Sequence, residues 1–219
     1  IDDDSFERLL PKWSIILSDL SDPIKTHVRE LCICKLLHEY GGLIIPNSTI
    51  VLKDLKDLYS GKLKEKEFFV GEFANKSNSN MYSRFFPSNK FMCCKKGNSA
   101  MKELISNLEI SVSVDNSDQP EFEGTTDKYI YKLVKEGKCG LVCGKALGTK
   151  DKNNNVVLID ALLNEAPLNL CFCSLYCICL PGKEILHRTK YNWFARLSHR
   201  QVLEGNTQVS KFLLLCHGK

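Results

Sequence analysis

The chain has 219 residues, 43% hydrophobic and 26% charged, and its 30 Lys and Arg against 26 Asp and Glu leave a formal net charge of +4. Apolar side chains are plentiful enough for a full core, which excludes a disordered chain, a collagen-like chain and a coiled-coil rod. No run reaches the roughly 18 uninterrupted apolar residues of a membrane helix, and so mild a positive charge does not describe a general nucleic-acid binder.

In chain order, residues 1–4 read as the tail of a strand ending in Asp2, Asp3 and Asp4. Ser5 is placed to cap a short helix carrying Phe6, Leu9 and Leu10, which Pro11 ends. Asp22-Pro23 signals a helix start, predicting a helix over 24–40 with Val28, Leu31, Cys32 and Leu36 inward and Gly41 as its stop. Residues 43–45 predict a short interior strand closed by Pro46. Leu52, Leu55 and Leu58 stand at helical spacing and predict one or two turns within 50–59.

Strands are predicted over 68–73 and 91–94, with a polar loop at 75–80 between them. Asn98 caps a helix carrying Met101, Leu104, Ile105 and Leu108. A polar loop over 111–125 leads to a helix over 126–136, stopped by Gly137. Residues 141–142 and 156–159 read as a hairpin around the turn composition DKNNN at 151–155. Residues 168–180 form the longest strand region, and 198–216 a terminal helix weakened by Gly205. The alternation predicts an α/β fold in a single domain over 1–219: a mostly parallel sheet flanked by helices, with a small antiparallel portion.

Eleven cysteines without any CxxC pair argue against a zinc ribbon, and an odd count argues against a secreted disulfide scaffold. Cys171, Cys173, Cys177 and Cys179 alternate as if on one buried strand face. The expectation is reduced core thiols, no zinc, and an intracellular reducing compartment, either the cytoplasm or the interior of a virion. Between 180 and 200, Lys183, Arg188, Lys190, Arg196 and Arg200 face a single acid, Glu184. Such a run is either a solvated helix face or a contact for phosphate or another acidic partner.

HExxH, P-loop, GxSxG and strand-following GxGxxG motifs are absent. The informative stretch is LLHEYGGLIIPNSTIVLKDL at 36–55: an apolar helix, a double glycine, a three-residue apolar strand, a polar triplet and a hydrophobic segment. Tyr40, Gly41, Gly42, Leu43, Ile44 and Ile45 resemble the central motif of GT-A-type glycosyltransferases of the capsular-polysaccharide-synthesis and DXD sugar-binding kind, and Val51-Leu52-Lys53-Asp54-Leu55 resembles that family's next element. NKFMCCKKGN at 89–98 and the pair His187 and Trp193 echo later family elements in the right order.

The resemblance implies a GT-A-like, Rossmann-like fold whose N-terminal nucleotide-binding unit lies upstream of Ile1. It implies a sugar-nucleotide crevice at Gly41, Gly42, Asn47 and Ser48, with Asp2, Asp3 or Asp4 as a replacement source of acid. His187 and Trp193 through the resemblance, and Arg188, Lys190 and Arg196 through the basic run, are the candidate phosphate or partner contacts.

In active relatives the triplet supplies aspartates that hold a divalent metal; here it is Pro46-Asn47-Ser48. The family's helix carries an acid and an arginine before the double glycine, where this chain has Glu30 and Ile33. The resemblance with these losses implies a non-catalytic binding or scaffold module with a protein partner and no cofactor; the Lys- and Asn-rich composition, which fits an AT-rich genome, suggests a larger assembly such as a virion as its setting. The alternative is an active glycosyltransferase moving a sugar from a nucleotide-sugar donor to a glycan or protein acceptor, with Mn or Mg in that case alone. A third reading is an unrelated α/β structural protein.

Overall fold

A computed structural model describes residues 2–10, 13–73, 86–114 and 124–217. In chain order the helices and strands are α1 (Ser5–Leu9), α2 (Ile24–Tyr40), β1 (Gly42–Ile44), β2 (Thr49–Val51), α3 (Leu55–Glu65), β3 (Phe68–Glu72), β4 (Pro87–Cys94), α4 (Ser99–Ser113), α5 (Thr125–Lys135), β5 (Gly140–Val142), α6 (Ile159–Leu162), β6 (Cys177–Cys179), α7 (Gly182–His187), α8 (Asn192–Ala195), α9 (His199–Glu204) and α10 (Gln208–His217). The chain divides into two compact units: Ile1–Ile44, Tyr59–Val70 and Pro87–Leu141 form the first, and Ile45–Leu58, Gly71–Phe86 and Val142–Lys219 the second.

In the first unit, α2 begins where the Thr26 hydroxyl donates to Asp22 at 2.6 Å. It turns Val28, Leu31, Cys32, Leu36 and Leu37 inward, and ends where the Gly41 N–H donates to the Leu37 carbonyl at 2.9 Å. The Asn98 side chain accepts from the Met101 N–H at 3.0 Å and starts α4. Met101, Leu104, Ile105 and Leu108 then follow the i, i+3, i+4, i+7 pattern of one helical face, and all four are buried. In α5, Ile130 and Leu133 point inward, and Gly137 at φ +70° ends the segment. These faces meet Phe68, Val70, Met92 and Cys94 of the sheet in one core. Phe6, Leu10, Leu17, Val28, Cys32 and Leu36 make an adjoining cluster. In the second unit Ile50, Leu162, Leu170, Leu175, Ile178, Val209 and Phe212 pack together.

Strand order in the four-stranded sheet is β1-β4-β3-β5, and a separate two-stranded sheet pairs β2 with β6. The fold is α/β with a mixed sheet, which corrects the expectation of a mostly parallel one. β1 runs antiparallel to β4, with Gly42 opposite Cys94 and Ile44 opposite Met92. Successive strands β3 and β4 are also antiparallel neighbours: Lys95 N–H reaches the Glu67 carbonyl, and Phe73 N–H the Phe86 carbonyl, both at 2.8 Å. β1 stands at the sheet edge and is half-buried, not interior.

Other expectations shift locally. Residues 3–4 form a turn into α1 where the tail of a strand was expected, and the Asp2 carboxylate accepts from the Ser5 N–H at 3.0 Å. The leucine spacing at 50–59 splits into β2 and the later-starting α3, because Thr49–Val51 pairs with Cys177–Cys179. The Asp151–Asn155 turn forms, with Asp151 Oδ1 accepting two backbone N–H bonds at 2.8 Å, but its arms are the bridge Lys150 to Val156. Only 177–179 of the long predicted strand are extended; Ser174 N–H turns back to the Cys171 carbonyl at 3.1 Å, leaving Cys173 exposed and Cys171 half-buried. The terminal helix breaks at Gly205 into α9, started by a Ser198–Gln201 capping box, and α10. The predicted loop at 75–80 and most of that at 111–125 lie outside the described residues.

If the Met101–Leu108 face carries the first core, Leu104→Ala lowers unfolding free energy by about 2–5 kcal/mol. Asn98→Ala lowers it by about 1 kcal/mol. Denaturant midpoints of the two variants check the ranking.

Candidate functional site

The double glycine is explained by backbone geometry. Gly41 has φ +72°. A Cβ there would sit 3.0 Å from the Lys96 amide nitrogen and 3.2 Å from the Cys94 carbonyl. Helix α2 therefore ends in direct backbone contact with the end of β4, and Gly97 N–H donates to the His38 carbonyl at 2.7 Å across the same junction. Gly42, at φ +118°, carries the chain out of this turn into β1. Tyr40 is exposed, its hydroxyl donating to the Leu9 carbonyl at 2.7 Å.

Beyond β1, Asn47 is exposed while Pro46 and Ser48 are half-buried. Ser48 is tied to the strand ladder of the second unit. Its hydroxyl donates to the Leu180 carbonyl at 2.8 Å, and its own carbonyl accepts from the Leu180 N–H at 2.8 Å. Gly182 leaves room for this contact, since a Cβ there would lie 3.1 Å from the Ser48 side chain. The donor set of the triplet is one amide carbonyl and one hydroxyl already engaged. That set does not fit a divalent cation, which takes carboxylate oxygens.

Asp2 and Asp3 are committed to partners other than Gly41 and Gly42. Asp3 grips Arg29 in a two-point bond, 2.8 Å to Nε and 2.6 Å to a terminal nitrogen, with Lys25 at 3.9 Å. Arg29 precedes Gly41 by twelve residues of α2, about 18 Å of helix. Asp2 is bonded to Ser5 in both backbone and side chain, and Asp4 is exposed just before α1. The first unit thus holds Gly41, Gly42 and the three aspartates, while Asn47 and Ser48 belong to the second.

The basic segment lies in the second unit, with Lys183, His187, Arg188, Lys190, Trp193, Arg196 and Arg200 all exposed. Its charge is less free than its sequence indicates. Arg188 pairs with Glu184 at 3.5 Å, Lys190 with Asp160 at 2.6 Å, and Arg200 with Glu204 at 2.7 Å. Asp160 also accepts from the Tyr191 hydroxyl at 2.8 Å, and Lys190 first, Tyr191 second, hold its carboxyl below the usual range. Among the described residues Lys183 and Arg196 have no carboxylate within 4 Å. Trp193 stacks edge-on against Phe194 at 5.7 Å, and Leu186 is 60% exposed.

Two features were not anticipated. Glu72, 4% exposed at the end of β3, pairs with Lys150, while its second oxygen accepts from the Gly144 N–H at 2.9 Å and its carbonyl from the Thr149 hydroxyl at 2.7 Å. An acid inside the apolar run FFVGEF was its sequence signal. A groove of about 240 Å³ lies between α4 and α5, floored by Leu104 and Leu108 and rimmed by Asn107, Thr126, Lys128 and Lys132. It is smaller than most small-molecule pockets, which begin near about 300 Å³.

All eleven cysteines are free thiols. Burial pushes Cys32, Cys93 and Cys94 up to about 12, and raises Cys34 and Cys139 as well, so these serve as packing groups and not nucleophiles. Among the described residues no group of three or more His, Cys, Asp or Glu is placed to hold a metal ion, and no helix is long and apolar enough to cross a membrane. No protein-family profile, curated protein or solved structure matches the chain.

The Asp3–Arg29 bond has a pH signature. Arg29 lowers the folded Asp3 carboxyl below its ordinary value, so its contribution is present above the unfolded value and is lost as pH falls through the folded one. Asp3→Asn is expected to be less stable than wild type at pH 6, by at most about 1 kcal/mol for this part-exposed pair. In thermal melts the difference closes as pH drops below the ordinary carboxylate range. Glu72→Ala, which strands the Lys150 ammonium at a site it leaves only 16% exposed, is expected to cost about 3–5 kcal/mol in the same assay.

Proposed function

We propose that this chain is a glycosyltransferase-like domain whose metal-binding acids are lost and which serves as a non-catalytic binding or scaffold module, a component of a larger assembly such as a virion. The observation that carries the reading is the Ser48–Leu180 bond. At the strand end where the resemblance puts carboxylates, the triplet has no charge, and its one hydroxyl is fixed to a neighbouring carbonyl. A departing nucleoside diphosphate develops negative charge, which needs a metal or cations already aimed at the phosphates. Asp3 and Asp2 are bound to Arg29 and Ser5, and Arg188 and Lys190 are matched with Glu184 and Asp160.

The contact surface proposed for the partner is the exposed face of α7 and α8. Lys183 and Arg196 supply charge there, and Trp193 and Leu186 supply apolar area. Aromatic and arginine side chains of this kind anchor protein interfaces, and acidic side chains on the partner would complement the lysine and arginine.

Calorimetric titration with uridine and guanosine diphosphate sugars, with and without Mn²⁺, tests the reading. The expected result is no binding tighter than about 1 mM under either condition. Binding that requires Mn²⁺ would replace this reading with the active transferase. Metal-independent binding lost in Arg188→Ala would replace it with a cation-based nucleotide site.

A further inference from the structure

Two of the eleven cysteines are set apart by geometry. Cys171 and Cys173 carry their sulfurs 3.1 Å apart, where an S–S bond is about 2.05 Å. Cys177 and Cys179 repeat the same spacing six residues later, but there the sulfurs are 3.9 Å apart and both side chains are buried in β6. The first pair is reachable from solvent, with Cys173 exposed and Cys171 half-buried.

The turn that brings the sulfurs together is held from a distant part of the chain. Ser174 returns to the Cys171 carbonyl through its N–H at 3.1 Å and its hydroxyl at 3.2 Å. The Lys53 ammonium donates to the Phe172 carbonyl at 2.8 Å and the Cys173 carbonyl at 2.9 Å, and lies 5.6 Å from the Tyr176 ring centroid. Lys53 thereby fixes the backbone of the turn that holds the two thiols, and the charge that acts on Cys171 itself is that of Lys152, which favours its thiolate.

We propose that Cys171-Phe172-Cys173 is a thiol–disulfide exchange site whose substrates are low-molecular-weight disulfides. The Cys171 thiol gives its proton to solvent and the thiolate attacks one sulfur of the small disulfide. One small thiolate leaves, and a mixed disulfide forms on Cys171. Cys173, losing its proton in turn, attacks the Cys171 sulfur and expels the second small thiolate. The protein dithiol has lost two electrons and two protons to become a disulfide, and the small disulfide has become two thiols. Cys171 is assigned the first attack because the Ser174 hydroxyl first, and the Cys173 thiol second, draw it down to about 7. A thiol in that range is substantially ionised at neutral pH and still a good nucleophile. The site is independent of the glycosyltransferase-like reading.

The test treats the fully reduced intact chain with oxidised glutathione at pH 7, followed by acid quenching, alkylation and peptide mapping by mass spectrometry. The expected product is a disulfide between Cys171 and Cys173 with no glutathione retained on either, formed before any change at Cys143 or Cys216. Cys173→Ser, a substitution at an exposed position, is expected to accumulate glutathione on Cys171. In wild type, the initial rate is expected to rise through a midpoint near 7 as pH increases. A wild-type chain that keeps glutathione on Cys171 or Cys173 overturns the proposal. So does one in which Cys143 reacts while this pair stays reduced, or a Cys173→Ser chain that leaves Cys171 unmodified.

Discussion

The approach of one backbone to another at Gly41 sets the course of the chain around the candidate site. Any side chain at this position would press against the Lys96 nitrogen and the Cys94 carbonyl, and the φ of +72° would strain it further. With glycine there, α2 closes onto the end of β4, Gly42 swings the chain about, and β1 is laid antiparallel along β4 as an edge strand. The sequence element that most resembles a sugar-nucleotide motif is thus also a mechanical joint. Its glycines are required by the fold whether or not a ligand ever approaches them.

Charge in this protein is largely turned inward on itself. Asp3 holds Arg29, Glu72 holds Lys150, and Asp160 holds Lys190 with help from Tyr191. Each carboxylate that meets a cation this way is withdrawn from metal or phosphate chemistry and adds to positioning of local structure instead. Glu72 is the deepest case, where one oxygen serves the Lys150 ammonium and the other a backbone N–H of the Gly144 turn. Removing one member of such a set leaves the others unmatched, which costs more than the set itself contributes.

Helices with local signals were legible in the sequence. Asp22-Pro23 and Gly41 bracket α2 over 24–40, and Asn98 and the Met101–Leu108 spacing mark α4. What was not legible depends on distant partners. β1 is an edge strand because, among the described residues, nothing pairs on its other side, which no property of Gly42–Ile44 announces. The cysteine alternation at 171–179 follows strand period, yet Lys53, more than a hundred residues earlier, binds two carbonyls of a turn at 172–173. Likewise the basic run looked unopposed, because Asp160 lies thirty residues before Lys190. Within the candidate site the loss of charge at 46–48 was readable from composition. The engagement of Ser48 with Leu180, 132 residues away, was not.

The central claim is that the strand end at 46–48 offers no seat for a divalent cation. Paramagnetic broadening of backbone amide signals during titration with Mn²⁺ and uridine diphosphate addresses it directly. The account predicts that the Asn47 and Ser48 amides broaden no more than other exposed amides at equal Mn²⁺. Selective broadening of these two signals, dependent on the nucleotide, would contradict it.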